Sequence, residues 1–290
     1  MGRVAYVNGR FVPHGKAAVH IEDRGFQLAD GVYEVWAVFD GALGEAEGHF
    51  ERLERSLDEL QITAPMGRAA LTVVLKETIR RNRVREGLVY LQVTRGVAKR
   101  DHAFPNPEVP ASVISTAHSV DRAVTEARAE RGAAVITVPE TRWARCDIKT
   151  VGLLPNVLAK QQARKAGAVE AWFVDELGLV TEVTEGASSN AWIIDKSGAL
   201  RTRDTQANIL RGITRKTLLS IMAREGLKVE ERPFSLDEAK EAKEAFITGA
   251  GTLVLPIVSI DGRPVGEGVA GPVAKRLRRL YIEEARRTAV

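Results

Sequence analysis

Residues 142–163 read RWARCDIKTVGLLPNVLAKQQA. Upstream, Ala133 to Val138 has strand composition, and downstream the run Leu153 to Ala166 reads as a helix that Gly167 stops. Lys149 therefore lies between a strand and a helix, among apolar or small neighbours. Taken alone, such a lysine is most simply a surface loop residue. Cys146, the single cysteine, has no neighbouring histidine and reads as a small packing residue.

Outward from this stretch the pattern continues as alternating elements. Strands are expected at Ala171–Val174, Leu179–Thr184, Ala191–Ile194, Ala245–Thr248 and Ile257–Ile260. Helices are expected at Thr214–Glu225, stopped by Gly226, and after Ser235, where Glu238 completes a capping box. On the N-terminal side, Asn8-Gly9 joins Val4–Val7 to Arg10–Val12 as a type I′ hairpin, and Asp40-Gly41 closes a second hairpin after Val32–Phe39. Phe50, Leu53, Leu57 and Leu60 recur at helical spacing, as do Leu71, Val74, Leu75, Thr78 and Ile79. Strands at Leu88–Thr94 and Ala111–Thr116 flank the polar loop Arg95–Pro110. The scheme is a two-domain α+β / α/β chain: residues 1–119, a charged connection over 120–131 without apolar periodicity, and residues 132–290.

Composition narrows the function classes. A chain of 290 residues suggests about two domains and buries enough surface to fold without disulfides or metal. The net charge of +4, from 42 basic and 38 acidic residues, is too small and too interleaved to imply nucleic acid. The densest basic stretch, Lys275 to Arg287, reads as a solvated helix face. The uncharged run Ala245–Ile260, broken by Gly249, Gly251 and Pro256, cannot span a bilayer. The N-terminus reads as a strand rather than a secretion signal, and one cysteine fits a reducing cytoplasm. The five histidines form no i, i+4 pair, which argues against a helical zinc site, and no metal is expected. Gly249-Ala250-Gly251 lacks the third glycine of a dinucleotide fingerprint and fits a small backbone nest better.

One further segment stands out, the hydroxyl-rich turn Thr184-Glu185-Gly186-Ala187-Ser188-Ser189-Asn190 between two strands. Alone it is a polar hairpin loop. Together with EDRGFQLADGVYEV (22–35), HFERL (49–53), VTRGVAKRDHAFP (93–105), the opening stretch, NILRGITR (208–215) and PFSLDEA (233–239), it follows a known order. The chain resembles the fold type IV pyridoxal-phosphate aminotransferases, and most nearly the bacterial D-amino acid aminotransferases, from about Val4 to Ile282.

The resemblance implies a cofactor, pyridoxal 5'-phosphate, at the domain interface, and assigns roles residue by residue. Lys149 matches the lysine of the internal aldimine, which must become a neutral nucleophile. Glu185 matches the acid that keeps the pyridine nitrogen protonated, so that the ring acts as an electron sink. Arg52 matches the phosphate arginine, and Ile213 and Thr214 the residues whose backbone N–H groups open a helix onto the phosphate. Leu210 matches the apolar residue against the ring, and Ser188 falls in the cofactor-binding turn. At Ala250 and Gly251 the family usually has a hydroxyl, so this chain would bind there through backbone alone, with lower cofactor affinity as one consequence. Tyr33, with Val35 beside it, and Arg100 and His102 match the substrate-carboxylate trap; in the family the arginine and histidine reach in from a neighbouring subunit, which implies a homodimer.

The leading expectation is a ping-pong transfer of the amino group from a D-amino acid to a 2-oxo acid. The same fold also supports an aminodeoxychorismate lyase, against which the Arg-x-His pattern at 100–102 argues, and a branched-chain L-aminotransferase or an (R)-amine transaminase, which the same loop distinguishes. A cofactor-binding protein without turnover is a further alternative, against which the presence of both Lys149 and Glu185 speaks.

Overall fold

Asn8 and Gly9 adopt φ of 43° and 92°, the positive values a type I′ turn requires. They close β1 (Val4–Val7) onto β2 (Arg10–Pro13). A computed structural model describes residues 2–177, 180–206 and 208–290 of the chain. A short helix not expected from the sequence follows, α1 (Arg24–Leu28), capped by the Asp23 carboxylate. Five residues are too few to show a period.

Asp40 and Gly41, again with positive φ, turn β3 (Gly31–Phe39) into β4 (Ala42–Leu43). With β5 (Gly87–Thr94) and β6 (Ser112–Ser119) they form a six-stranded antiparallel sheet ordered β2-β1-β6-β5-β3-β4. Strand alternation sends Val32, Glu34 and Trp36 to the buried face and leaves Tyr33 and Val35 half-buried on the other. The expected apolar stripes of α2 (Ala46–Glu59) and α3 (Arg68–Arg81) pack with Val32, Trp36, Val89 and Leu91 in one core.

The second sheet contains α4 (Arg122–Arg131) at its approach, then β7 (Ala133–Pro139), α5 (Leu154–Lys165), β8 (Glu170–Leu177) and β9 (Val180–Gly186). Because β7 and β8 run parallel, the chain must cross over between them, and the segment containing α5 does so. The strand expected from Leu179 begins outside the described residues and is β9 from Val180 on. The unit continues through β10 (Asn190–Ile194), β11 (Leu200–Thr202), α6 (Ile213–Arg224), β12 (Val229–Glu231), α7 (Leu236–Lys240), β13 (Glu244–Gly249), β14 (Leu253–Ile260), β15 (Arg263–Pro264) and α8 (Pro272–Arg287). The order is β12-β11-β10-β13-β14-β7-β8-β9, with β15 on β14. The Ser235–Glu238 capping box forms as expected at the start of α7.

The division of the chain differs from the sequence scheme. The first unit comprises residues up to Asp121, Ile148–Gly152 and Ala285–Val290; the second comprises Arg122–Asp147 and Leu153–Glu284. Residues 122–131 are not a connection but a helix of the second unit. They lack a periodic stripe because only one alanine, Ala129, is buried, and ion pairs add to it: Glu126 receives Arg278 at 2.7 and 3.0 Å, and Glu130 lies 2.7 Å from Lys275 Nζ. Arg278 in turn is not on a solvated face. It is 4% exposed and also donates to the carbonyls of Thr252 and Val254 at 3.1 and 2.6 Å.

Segment 148–152 joins the first unit because β4 is only two residues long and leaves the start of β3 an open edge. Tyr33 N donates to Lys149 O and Val151 N to Gly31 O, both at 3.0 Å, so the segment fills that edge. Among the described residues no helix is long and apolar enough to cross a membrane.

Candidate active site

In the first unit the edge pairing places Lys149 beside the half-buried face of β3. Its Nζ lies 4.2 Å from the centroid of the Tyr33 ring, and its backbone N–H reaches Ser56 Oγ on α2 at 3.4 Å. The Tyr33 ring stacks on Tyr90 at 5.6 Å, which fixes the surface that Nζ faces.

The opposite face of β3 holds a charged cluster that sequence reading did not find. Glu34, fully buried, accepts from Arg52 Nε and Nη2 at 2.7 and 2.8 Å, and its Oε2 lies 2.7 Å from His49 Nδ1. Arg52, on α2, is 8% exposed and forked onto this carboxylate. Burial pushes the Glu34 carboxyl up, but the Arg52 charge and its hydrogen bonds, with His49, bring it down to about 2 from 4.5. A carboxyl depressed by folding adds stability above its unfolded pKa and withdraws it as the pH falls. The part of the melting midpoint that Glu34 contributes should therefore hold from neutral pH to about 5 and be lost between about 4.5 and 2. Differential scanning calorimetry should show a shallower fall in that window for Glu34→Gln; an equal slope would remove Glu34 from the account.

The loop after β5 carries Arg100 and His102, and both side chains are exposed. Within the first unit they are therefore not gathered against Lys149.

The second unit gathers the other residues. Glu185, at the end of β9, is 5% exposed, and several donors converge on it. Asn190 Nδ2 donates at 3.0 Å and Leu210 N at 3.1 and 3.2 Å, while Arg142 Nη1 forms a short ion pair. Arg142 is itself shared with Glu140, whose Oε1 and Oε2 receive Nε and Nη2 at 2.9 and 2.6 Å. Glu185 is therefore built into a charged network. Arg142 and Asn190 stood in the quoted motifs, but nothing in their spacing marked them as its partners. Leu210 is pinned through both its N–H and its carbonyl, which accepts from Asn190 Nδ2 at 3.1 Å.

The chain then enters α6 with no capping side chain on Gly212 and no acid in the first turn, which leaves the N–H donors at Ile213 and Thr214 facing an anion-ready helix start. Gly212 is required sterically, because a Cβ there would stand 2.0 Å from Asn190 Oδ1. The Thr214 hydroxyl lies 3.4 Å from that of Tyr281. Ala250 and Gly251 form the turn after β13, and a Cβ on Gly249 would meet Ser188 O at 3.2 Å. The Ser188 hydroxyl donates to the buried Glu170 at 2.6 Å, so its side chain serves the turn's own structure. Within the second unit, helix donors, a backbone turn and a buried carboxylate suit a phosphorylated, basic heteroaromatic group. The donor set therefore fits the cofactor implied by the resemblance.

Comparison with known proteins agrees. A model of the family described as amino-transferase class IV matches residues 31–260. The D-alanine aminotransferase of Staphylococcus haemolyticus is 41% identical over 273 residues, 94% of each chain. That of Bacillus licheniformis is 40% identical over 271 residues, 93% of each. Among solved structures, the T.th. branched-chain amino acid aminotransferase with pyridoxamine 5'-phosphate superposes with a TM-score of 0.90 at 29% identity, covering 99% of this chain and 96% of that one. The fold expected from the resemblance is the fold observed.

Proposed function

The chain belongs to the class IV aminotransferases, and we propose that within them it moves the amino group of a D-amino acid, D-alanine above all, to a 2-oxo acid such as 2-oxoglutarate, using pyridoxal 5'-phosphate. What carries the substrate class is the 41% identity to a D-alanine aminotransferase across 94% of both chains, against 29% for the branched-chain enzyme.

Lys149 would hold the cofactor through Nζ, and Glu185 would hold the proton on the ring nitrogen. The N–H groups of Ile213 and Thr214 and the backbone at Ala250 and Gly251 would take the phosphate, Arg52 would add its charge while its guanidinium stays shared with Glu34, and Leu210 would lie against the ring. When bound, the cofactor supplies a ring that accepts the electron pair left at Cα as its proton departs. Lys149 Nζ takes that proton and returns it, as general base and then acid. Tyr33, Arg100 and His102 take the substrate carboxylate and, with Val35, orient Cα–H toward the lysine. With D-alanine and 2-oxoglutarate the products are pyruvate and D-glutamate. The test is to assay D-alanine and L-leucine separately with 2-oxoglutarate; faster turnover of L-leucine would overturn the reading.

The carboxylate trap predicts that Arg100→Ala raises KM for D-alanine at least about tenfold, since truncating one partner of a desolvated charge pair costs about 2 kcal/mol or more, roughly thirtyfold. The cofactor spectrum should stay unchanged, and an amine without a carboxylate should be affected far less. A homodimer is part of the same proposal. Leu154, Val157 and Leu158 line one face of α5, and Ile21, Phe26 and Phe104 mark the first unit, each more than half exposed. Apolar surface of this kind suits a second copy of the chain. Mixing Lys149→Ala with Arg100→Ala chains should restore a fraction of the activity, because one site of a mixed dimer then carries neither lesion. No recovery in proven heterodimers would assign the loop to its own subunit. A cytoplasmic setting goes with this: Cys146 is a buried free thiol that donates to Trp143 O at 3.0 Å, and a single reduced cysteine suits a reducing compartment.

A further inference from the structure

The loop that carries Arg100 and His102 outward is gripped from below by a buried arginine that the transfer chemistry does not use. Arg24, at the start of α1, is 3% exposed. Its Nη1 donates to Asp101 O at 2.7 Å, its Nη2 reaches His102 O at 3.5 Å, and its Nε donates to Asp30 Oδ2 at 2.8 Å. Asp30 is held from another side by Arg95, through Nε at 2.8 Å and Nη2 at 3.0 Å. Arg95 is anchored in turn on the carbonyls of Leu60 and Gln61 at 2.6 and 2.8 Å, and its guanidinium lies 3.6 Å from the Phe104 ring centroid. One carboxylate thus joins two guanidiniums, and each touches the loop at a different point.

The backbone around the cluster is tied as well. Arg24 N donates to Gly96 O at 2.9 Å and Ala98 N to Glu22 O at 3.3 Å, while Asp101 Oδ1 closes a local turn by accepting from Ala103 N at 3.2 Å. Burial pushes the Asp30 carboxyl up, but Arg95 and Arg24 bring it below its ordinary value, so Asp30 stays a carboxylate at neutral pH. A long polar loop costs conformational entropy to order. Here that cost is met at the two residues flanked by, or forming, the carboxylate trap.

We propose that Arg24 is a positioning residue for substrate selection: by holding the carbonyls of Asp101 and His102 it fixes the loop conformation in which Arg100 and His102 receive a carboxylate. The proposal rests on the reading of those two side chains as the trap. Arg24→Lys is the discriminating variant, because a single ammonium keeps the charge beside Asp30 but cannot reproduce the guanidinium's fork onto both carbonyls.

In the Arg24→Lys holoenzyme, KM for D-alanine should rise at least about fivefold with kcat within about twofold, and an amine without a carboxylate should react as before. Melting temperature and cofactor absorbance should stay near wild type, whereas limited trypsin cleavage after Lys99 or Arg100 should quicken at least about fivefold. Unchanged cleavage overturns the tether. Faster cleavage with unchanged KM overturns the selection role if Arg100→Ala still raises KM; if Arg100→Ala also leaves KM unchanged, the trap reading itself has failed. Should Arg24→Lys not fold, Phe104→Ala, at a side chain 52% exposed, must quicken cleavage and raise KM in the same direction, or the proposal falls.

Discussion

Lys149→Ala should lose turnover by at least about a thousandfold, within the range that a positioned acid–base group supplies, and with it the visible absorbance of lysine-bound cofactor. The fold should survive the change. What stitches this segment to β3 is backbone, Tyr33 N to Lys149 O and Val151 N to Gly31 O, and an alanine leaves those bonds in place. The side chain itself makes one contact of note, its Nζ over the Tyr33 ring at 4.2 Å. Loss of activity without loss of melting temperature is therefore the expected pair of results. A variant that keeps both the absorbance band and normal turnover would falsify the assignment of Lys149.

Glu185→Gln should slow the removal of the Cα proton about 10- to 100-fold, the worth of a hydrogen bond to a charged group, with little change in KM for D-alanine. The side chains are the same size, so packing is conserved. The charge is not. Asn190 Nδ2, Leu210 N and Arg142 Nη1 all donate toward this carboxylate, and a glutamine presents one oxygen and two N–H groups to them. One donor is left facing another, and the group expected to hold a proton on the ring nitrogen becomes neutral. Arg142 keeps its second partner, Glu140, which should limit the loss of stability. Single-turnover measurement with Cα-deuterated D-alanine reads the step directly, and an unchanged rate of proton loss would sink the role given to Glu185.

The candidate site was named from contiguous blocks. Lys149, Glu185, Ile213 and Thr214 each stand in a motif whose resemblance to the family proposes a role, although alone those segments read as a surface loop and a polar turn. The supporting partners could not be named in this way. Arg142 meets Glu185 across 43 positions, and Arg24 meets the backbone of Asp101 across 77. Glu34 lies next to Tyr33 in the sequence, yet pleating turns it to the opposite face of β3, where Arg52 on α2 awaits it.

From the sequence alone, then, come the features whose physics is local. The Asn8-Gly9 and Asp40-Gly41 turns follow from positive φ, the Ser235–Glu238 box from capping donors, and the stripes of α2 and α3 from helical period. The order of the motif blocks adds the family. Tertiary structure alone decided that residues 148–152 leave their neighbours to complete the edge of β3, that 122–131 is a helix held through Glu126 and Arg278, and that Arg24 lies beneath the loop of Arg100 and His102. Ion pairs and edge pairing have no period along the chain. Their partners become neighbours only when distant segments are brought together, and it is the burial of those segments that gives a charge pair or an open strand edge its strength.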